Sequence, residues 1–458
     1  MQLTDKKLSV GLALATSTLL GTAPQVNAEQ GWQADTAVLF YSEDDDRVQA
    51  VEPALNLSKT FADESSASVR IVYDALTGAS PNGAAVAGVP QTFTSASGLA
   101  RLEQAEEDDD DEDEIEEYGD RASYTIAPGD VPLDESFEDT RTTLSGSWSK
   151  PFGDGYTSTL GGAWSTEGDF TSYSVNGALA KDFNGNNTTL SAGVNLEFDT
   201  ITPNGGMPVP LTSYASHNTS GTSDTKQVTD VIAGVTQVIN RRWIMQFNAS
   251  LSQSSGHHDD PYKFLTVADN GNLITDPDNP DSYLYLFEHR PEDRQKISLY
   301  WQNKVAIGSR DAIDIGYRYM TDDWGVDSST LDLTYHWQLT DGLYLEPHYR
   351  YYEQSAADFY TPFLQTGNDV QINGNDVTVL TDYASSDPRL GAFSANTLGL
   401  KLGLALSRNQ EMNLRVEQYQ QTDQNSRVAV PAGSHLDGQD QFAELSATWV
   451  QLGYSVKW

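Results

Sequence analysis

Leu398, Leu400, Leu402, Leu404 and Leu406 alternate with Gly399, Lys401, Gly403, Ala405 and Ser407. A helix would wind five such leucines around its whole circumference, whereas a strand puts them on one face. The segment is therefore a strand with one greasy and one small or polar side. The pattern recurs. Leu190, Val194, Leu196 and Phe198 alternate with Ser191, Asn195 and Glu197; Trp243, Met245, Phe247 and Leu251 form a second set, Leu331, Leu333, Tyr335 and Trp337 a third, and Ile313, Ile315, Tyr317 and Tyr319 a fourth.

Sixteen segments of this kind are predicted, near 32–42, 47–60, 67–76, 137–150, 156–166, 170–182, 187–199, 226–239, 243–253, 294–306, 312–320, 326–339, 343–355, 394–407, 411–421 and 441–458. Those at 156–166 and 226–239 alternate poorly. Pro53 and Pro347 fall inside predicted strands, where each removes a ladder donor, so a bulge or a shifted boundary is expected there. Connection length sorts by parity. Tight, turn-rich links such as Asn184–Asn187 and Asn240–Arg242 all follow even-numbered strands. The long links, 77–136, 200–225, 254–293, 356–393 and 422–440, all follow odd-numbered ones. A soluble β-protein has no reason to sort its loops this way. A transmembrane barrel does, with short periplasmic turns on one rim and long external loops on the other. An antiparallel up-and-down β-barrel of about 16 strands (14 to 18) is the expected fold, located in the outer membrane of a Gram-negative bacterium.

Both ends of the chain agree. Lys6 and Lys7, the apolar stretch Leu8–Ala23 and the small-x-small Val26-Asn27-Ala28 read as a signal peptide over residues 1–28, leaving 29–458 as the barrel. The final alternating strand ends in Trp458, an aromatic terminus of the kind that barrel-assembly machinery recognises. Outer-membrane lipid is the other expected partner.

Composition removes competing classes. No apolar run approaches the roughly 18 residues of a membrane helix. With 27 Lys+Arg against 66 Asp+Glu the net charge is −39, which opposes binding to nucleic acid. There is no Cys, hence no disulfide, thiolate nucleophile or Cys-ligated metal.

If the apolar face meets lipid, the polar face lines a lumen. Arg318, His336, Glu346, His348, Arg350, Lys401, Arg415 and Glu417 all fall on the polar parity of neighbouring strands. Turned outward at mid-membrane, each Arg would cost roughly 2–4 kcal/mol. Inward, such charges would set a transverse field in a pore or hold a plug.

Four stretches resemble a family of uncharacterised outer-membrane barrels, catalogued as domain of unknown function 3570. They are Tyr73–Ala84 (YDALTGASPNGA), Asp322–Gly325 (DDWG), Arg350–Tyr360 (RYYEQSAADFY) and Ser386–Leu390 (SDPRL). The resemblance spans essentially the whole mature chain. It implies an outer-membrane location and no particular activity. It also implies a possible redox or lipoprotein partner in the envelope, because family members occur beside flavin-transferase and small lipoprotein genes. The predicted topology puts all four stretches at the external rim, with Tyr73, Asp74, Asp322, Asp323, Trp324, Asp358, Tyr360, Asp387 and Arg389 as candidate residues. There they either form a ligand or partner site, or pack the loops into a plug.

Residues 103–117 carry twelve carboxylates and interrupt the family pattern. So dense a run stays solvated, and its functional alternative is weak attraction of Ca²⁺ or Mg²⁺. His257-His258-Asp259-Asp260 combines imidazole and carboxylate, a donor set suited to Zn²⁺ or Cu²⁺ if a loop folds them together; a solvated loop is the alternative. No G-x-S-x-G, H-E-x-x-H or phosphate loop occurs, so neither an enzyme nor a cofactor is expected. Two functions remain: a porin-like channel with a charged lumen, or a plugged barrel that serves as scaffold for an envelope redox or metal-handling partner.

Overall fold

The computed structural model describes residues 30–44, 47–94, 123–216, 218–424 and 427–458. The expected signal peptide, 1–28, and the acidic run at 103–117 lie outside these.

Sixteen antiparallel strands close into one barrel. In chain order they are β1 (Gly31–Glu43), β2 (Gln49–Thr60), β3 (Ser66–Pro81), β4 (Leu133–Phe152), β5 (Tyr156–Thr166), β6 (Phe170–Phe183), β7 (Thr188–Ile201) and β8 (Asp224–Asn240). There follow β9 (Trp243–Gly256), β10 (Asp293–Ile307), β11 (Asp311–Asp322), β12 (Asp327–Gln338), β13 (Leu343–Gln354), β14 (Phe393–Ser407), β15 (Gln410–Asp423) and β16 (Leu445–Lys457). Each strand pairs with its sequence neighbours, and β1 closes on β16 from Gln33↔Lys457 to Glu43↔Ala447. Closure leaves no edge carrying unpaired backbone polar groups into lipid. All sixteen expected strands are present, the two weak ones included.

Several strands run past the alternating segments. Residues 77–81 and 133–136, assigned to loop from sequence, are the outer ends of β3 and β4. The prolines do not behave as expected either. β2 and β3 keep one register from Val51↔Ala75 to Ala54↔Val72, and β12 and β13 keep theirs from Thr334↔His348 to Trp337↔Leu345. Pro53 still pairs with Val38 and Pro347 with Leu400. Each proline therefore costs bridges on one side only and makes no bulge. Register shifts occur instead at Gly78/Ser80, Val238/Asn240 and Ala405/Ser407.

The leucine row of β14 faces outward, and Leu398 is 63% exposed. Aromatic residues are exposed near both rims: Trp32, Phe152, Phe183 and Trp243 by the short turns, Tyr173, Phe198 and Tyr319 by the long loops. An apolar belt between two aromatic girdles is the exterior a bilayer requires. The chain is an outer-membrane barrel. The irregularity of 226–239 has a simple cause: Val228 and Ile232 are buried on the lumen side while Val231 is exposed outside.

Candidate functional site

The driest part of the molecule lies in the loops. Ala84 and Phe93 after β3, Tyr214 after β7, and Phe264, Tyr285 and Phe287 after β9 share one buried cluster. Ala85 and Ala87 join Ala268, Leu273, Phe363 after β13 and Leu436 after β15 in a second. Leu265, Val267, Leu284 and Leu286 meet Leu364, Val370 and Ala384 in a third. The five long loops leave the rim at points spread around the ring. A core that they share must lie across the mouth. Phe442 of the last loop also packs against Phe393, Ala395, Tyr419, Tyr41 and Ala447, which the alternation turns into the lumen. The described parts of the five long loops thus share a dry core at the external end.

The stopper is tied by a charged node between the loop after β9 and the loop after β13. Asp387 caps the 3₁₀ turn Pro388–Leu390, its carboxylate accepting from Arg389 N. The same carboxylate accepts from the Arg389 guanidinium and, at 2.8 Å, from Arg290 Nη2. Arg290 also reaches Glu288 Oε1 at 2.6 Å, and Arg389 reaches Asp260 Oδ2 at 2.8 Å. Ser385 Oγ donates to Glu288, while Lys263 Nζ donates to the Pro81 carbonyl at the end of β3.

Desolvation dominates this node, and three cations answer it. Burial pushes Asp260 up, but Lys263, Arg389 and Arg290 outweigh it and hold the carboxyl at about 2. Asp387 is likewise driven well below the carboxylate range, against its burial, by Arg389 and Arg290. Glu288 goes the other way: burial outweighs Arg290, and Asp260 and Asp387 add repulsion, so it sits at about 7. The node thus contains two firm carboxylates and one acid poised near neutrality.

The rim motifs interlock beside it. Trp324, Val326, Ala357 and Leu390 form one buried cluster with Phe359 and Tyr360 against it. Asp322 pairs with Arg294 at 2.5 Å and accepts from Trp324 N and Val326 N. Asp323 accepts from Gln295 N at 2.9 Å. The Arg294 guanidinium lies 4.3 Å from the Trp324 ring centroid, and Asp358 N donates to the Trp324 carbonyl. Asp74 receives two bonds from Arg141, at 2.9 and 2.8 Å, across β3 and β4. Tyr73 is the exception, facing outward and 45% exposed.

His257, His258, Asp259 and Asp260 diverge. His258 has both ring nitrogens engaged, by Gly256 O and Ser254 Oγ, and burial lowers it to about 4. Asp259 accepts from Arg290 N and contacts His289, Asp260 belongs to the charged node, and His257 lies 3.6 Å from Asp224. Among the described residues no group of three or more His, Asp or Glu is placed to hold a metal.

The eight predicted lumen residues do share one wall. His348 bridges Asp332 and Glu417, at 3.1 Å each, and Arg415 joins Glu417 at 3.0 Å. His336 and Lys401 hold Glu346 at 2.9 and 3.1 Å. Arg318 and Arg350 line a cavity of about 290 Å³. Facing strands β7 and β8 carry the buried carboxylates Glu197, Asp199 and Asp230. Sequence reading missed these three, and also Lys263, Glu288, Arg290 and Arg141. Glu197, Asp199, Asp230 and Arg141 lie on the inward parity of their strands, where alternation carries the signal; Lys263, Glu288 and Arg290 lie in a long loop, where no period sets a charged residue apart from a solvated one.

The profile of the family described as "Protein of unknown function (DUF3570)" matches residues 10–456. The chain belongs to that family. No curated protein matches it. Among solved structures, it is similar to a mutant of the ferric enterobactin receptor of Pseudomonas aeruginosa, with 10% identity and a TM-score of 0.42 over 87% of this chain and 54% of that one. It therefore spans about half of that receptor's length. A bacterial polysaccharide outer membrane secretin gives 7% identity and a TM-score of 0.42 over 94% of this chain and 100% of the other. The CymD monoaromatic hydrocarbon channel gives 8% and 0.39 over 97% and 93%. At such identities nothing that those proteins bind or carry transfers to this chain.

Proposed function

We propose that this member of the family is a non-catalytic, stoppered barrel: a fixed outer-membrane scaffold whose capped face or lumen serves an envelope partner, rather than an open diffusion pore. The observation that supports this is the dry core shared by loops from across the ring. Free diffusion needs a wet, unobstructed path, and packing as dry as that around Leu265 and Leu284 opposes one through the described part of the cap. The redox or metal-handling character of the partner rests on the family resemblance. Recognition by the assembly machinery through the strand ending in Trp458 belongs to the same proposal.

Planar-bilayer recording of the purified protein tests it. The intact barrel should stay silent, and replacing 264–286 by a short Gly-Ser link should produce steady conductance. Steady conductance from the intact protein would count for the porin-like alternative. For the partner, mild-detergent purification from outer membranes should bring down a flavin- or metal-bearing polypeptide; recovery of the barrel with lipid alone would remove that part of the proposal.

A further inference from the structure

We propose that Arg318 and Arg350 form a binding site for a small oxyanion, a carboxylate or a phosphate, on the inner wall of the barrel. Lysine and arginine are scarce in this chain, 27 against 66 acids. On the wall from β10 to β15 the basic side chains Lys304, His336, His348, Lys401 and Arg415 are all matched to carboxylates. Arg318 and Arg350 are not: among the described residues neither takes part in an ion pair or a side-chain hydrogen bond. Arg318 is exposed inside the lumen, and an ionised side chain within the membrane span marks a functional site by default.

The surroundings suit an anion. Both arginines line the same cavity of about 290 Å³, the low end of the size range of small-molecule sites. The Arg318 guanidinium carbon sits 5.5 Å from the Tyr300 ring centroid, which orients it without neutralising it. Tyr300 in turn lies against Gly316, where an added Cβ would stand 3.1 Å from the phenol oxygen, so the glycine makes room for the ring. Ser298 and Thr330 add neutral donors to the lining. Asp332 is the carboxylate in that lining, and its Oδ2 is already engaged by His348 Nε2 at 3.1 Å. Two guanidinium forks facing one space repel each other until an oxyanion enters, and the planar fork matches carboxylate and phosphate oxygens in pairs. On the periplasmic side the links, such as Phe61–Ser65 and Arg241–Arg242, are too short to fold across the lumen, so side chains of the wall alone set the path to the cavity from that rim.

The site holds whether or not the barrel conducts, so its test is separate from that of the capped-barrel reading. The full-length protein in detergent micelles is titrated calorimetrically with benzoate, with inorganic phosphate and with chloride. Saturable binding of either oxyanion is expected, weakened at least tenfold in R318Q/R350Q and unchanged in K304Q, which removes the same kind of charge lower on the wall. Heat-modifiable gel migration verifies that each variant is folded. Benzoate alone would assign an organic carboxylate, phosphate alone a phosphate ester, and both a general oxyanion site. No saturable binding, an unaffected double variant, or chloride competing equally would overturn the proposal.

Discussion

Arg290 donates to Asp387 at 2.8 Å across a gap of 97 residues, joining the loop after β9 to the loop after β13. The bond is buried on both sides, 11% and 1% exposed. Its partners came out of water to make it, so its value shows when one of them is removed. Asp387→Asn leaves Arg290 and Arg389 facing a neutral amide, and a loss of about 3–5 kcal/mol is expected. The loss should be confined to the cap. Hydrogen exchange should rise in 257–292 and 355–392 while the barrel strands stay protected; uniform exchange would mean that the node does not hold the loops.

Glu288 makes the cap sensitive to base. Its value is raised from 4.5 to about 7 by burial, so the native cap prefers the protonated acid. A raised acid contributes stability in full below about pH 4.5 and loses it as pH climbs through about 7. His289, raised by its bond to Asp259, acts in the same direction. Asp260 and Asp387 are held low and matter only in strong acid. Cap protection should therefore fall between pH 5 and 8, by up to roughly 3 kcal/mol. Glu288→Gln should flatten most of that slope; an unchanged slope in the variant would exclude Glu288 as its source.

Gly325 tests the rim cluster. It sits at φ +85°, and a Cβ there would collide with the Asp358 carboxylate. Gly308, at φ +66° in a periplasmic turn, has open space around it. Gly308→Ala should cost only the backbone term, about 1 kcal/mol, and Gly325→Ala clearly more, about 2–3 kcal/mol. Urea unfolding of the two variants side by side reads the difference, and equal costs would show that the contact with Asp358 carries no weight.

The orientation of β14 is checked by adjacent residues. Leu400→Arg places a charge in hydrocarbon and should cost roughly 2–4 kcal/mol at mid-membrane. Lys401→Leu gives up a partly buried lumen pair with Glu346, worth roughly 1 kcal/mol. Refolding into vesicles under urea measures both. A larger penalty at 401 than at 400 would reverse the assigned faces.

Much of this was legible in the chain. The leucine row of β14, the parity of the links and the inward set from Arg318 to Glu417 all follow from period two. The rim motifs were legible as places, because topology alone puts Asp322, Asp358 and Asp387 at one end. What they do there was not. The same residues could have bound a ligand or packed a plug, and only the contacts among Trp324, Ala357 and Leu390 show the packing.

The sequence by itself determined that this protein is a closed wall between lipid and water, because each residue's face depends only on its position along its own strand and needs no distant partner. Tertiary structure alone decided that loops from across the ring share one dry core, that Arg290 meets Asp387, and that among the described residues Arg318 and Arg350 make no ion pair. Those outcomes depend on which side chains meet across tens to hundreds of residues, and charge and hydrophobicity along an aperiodic loop do not encode that choice locally.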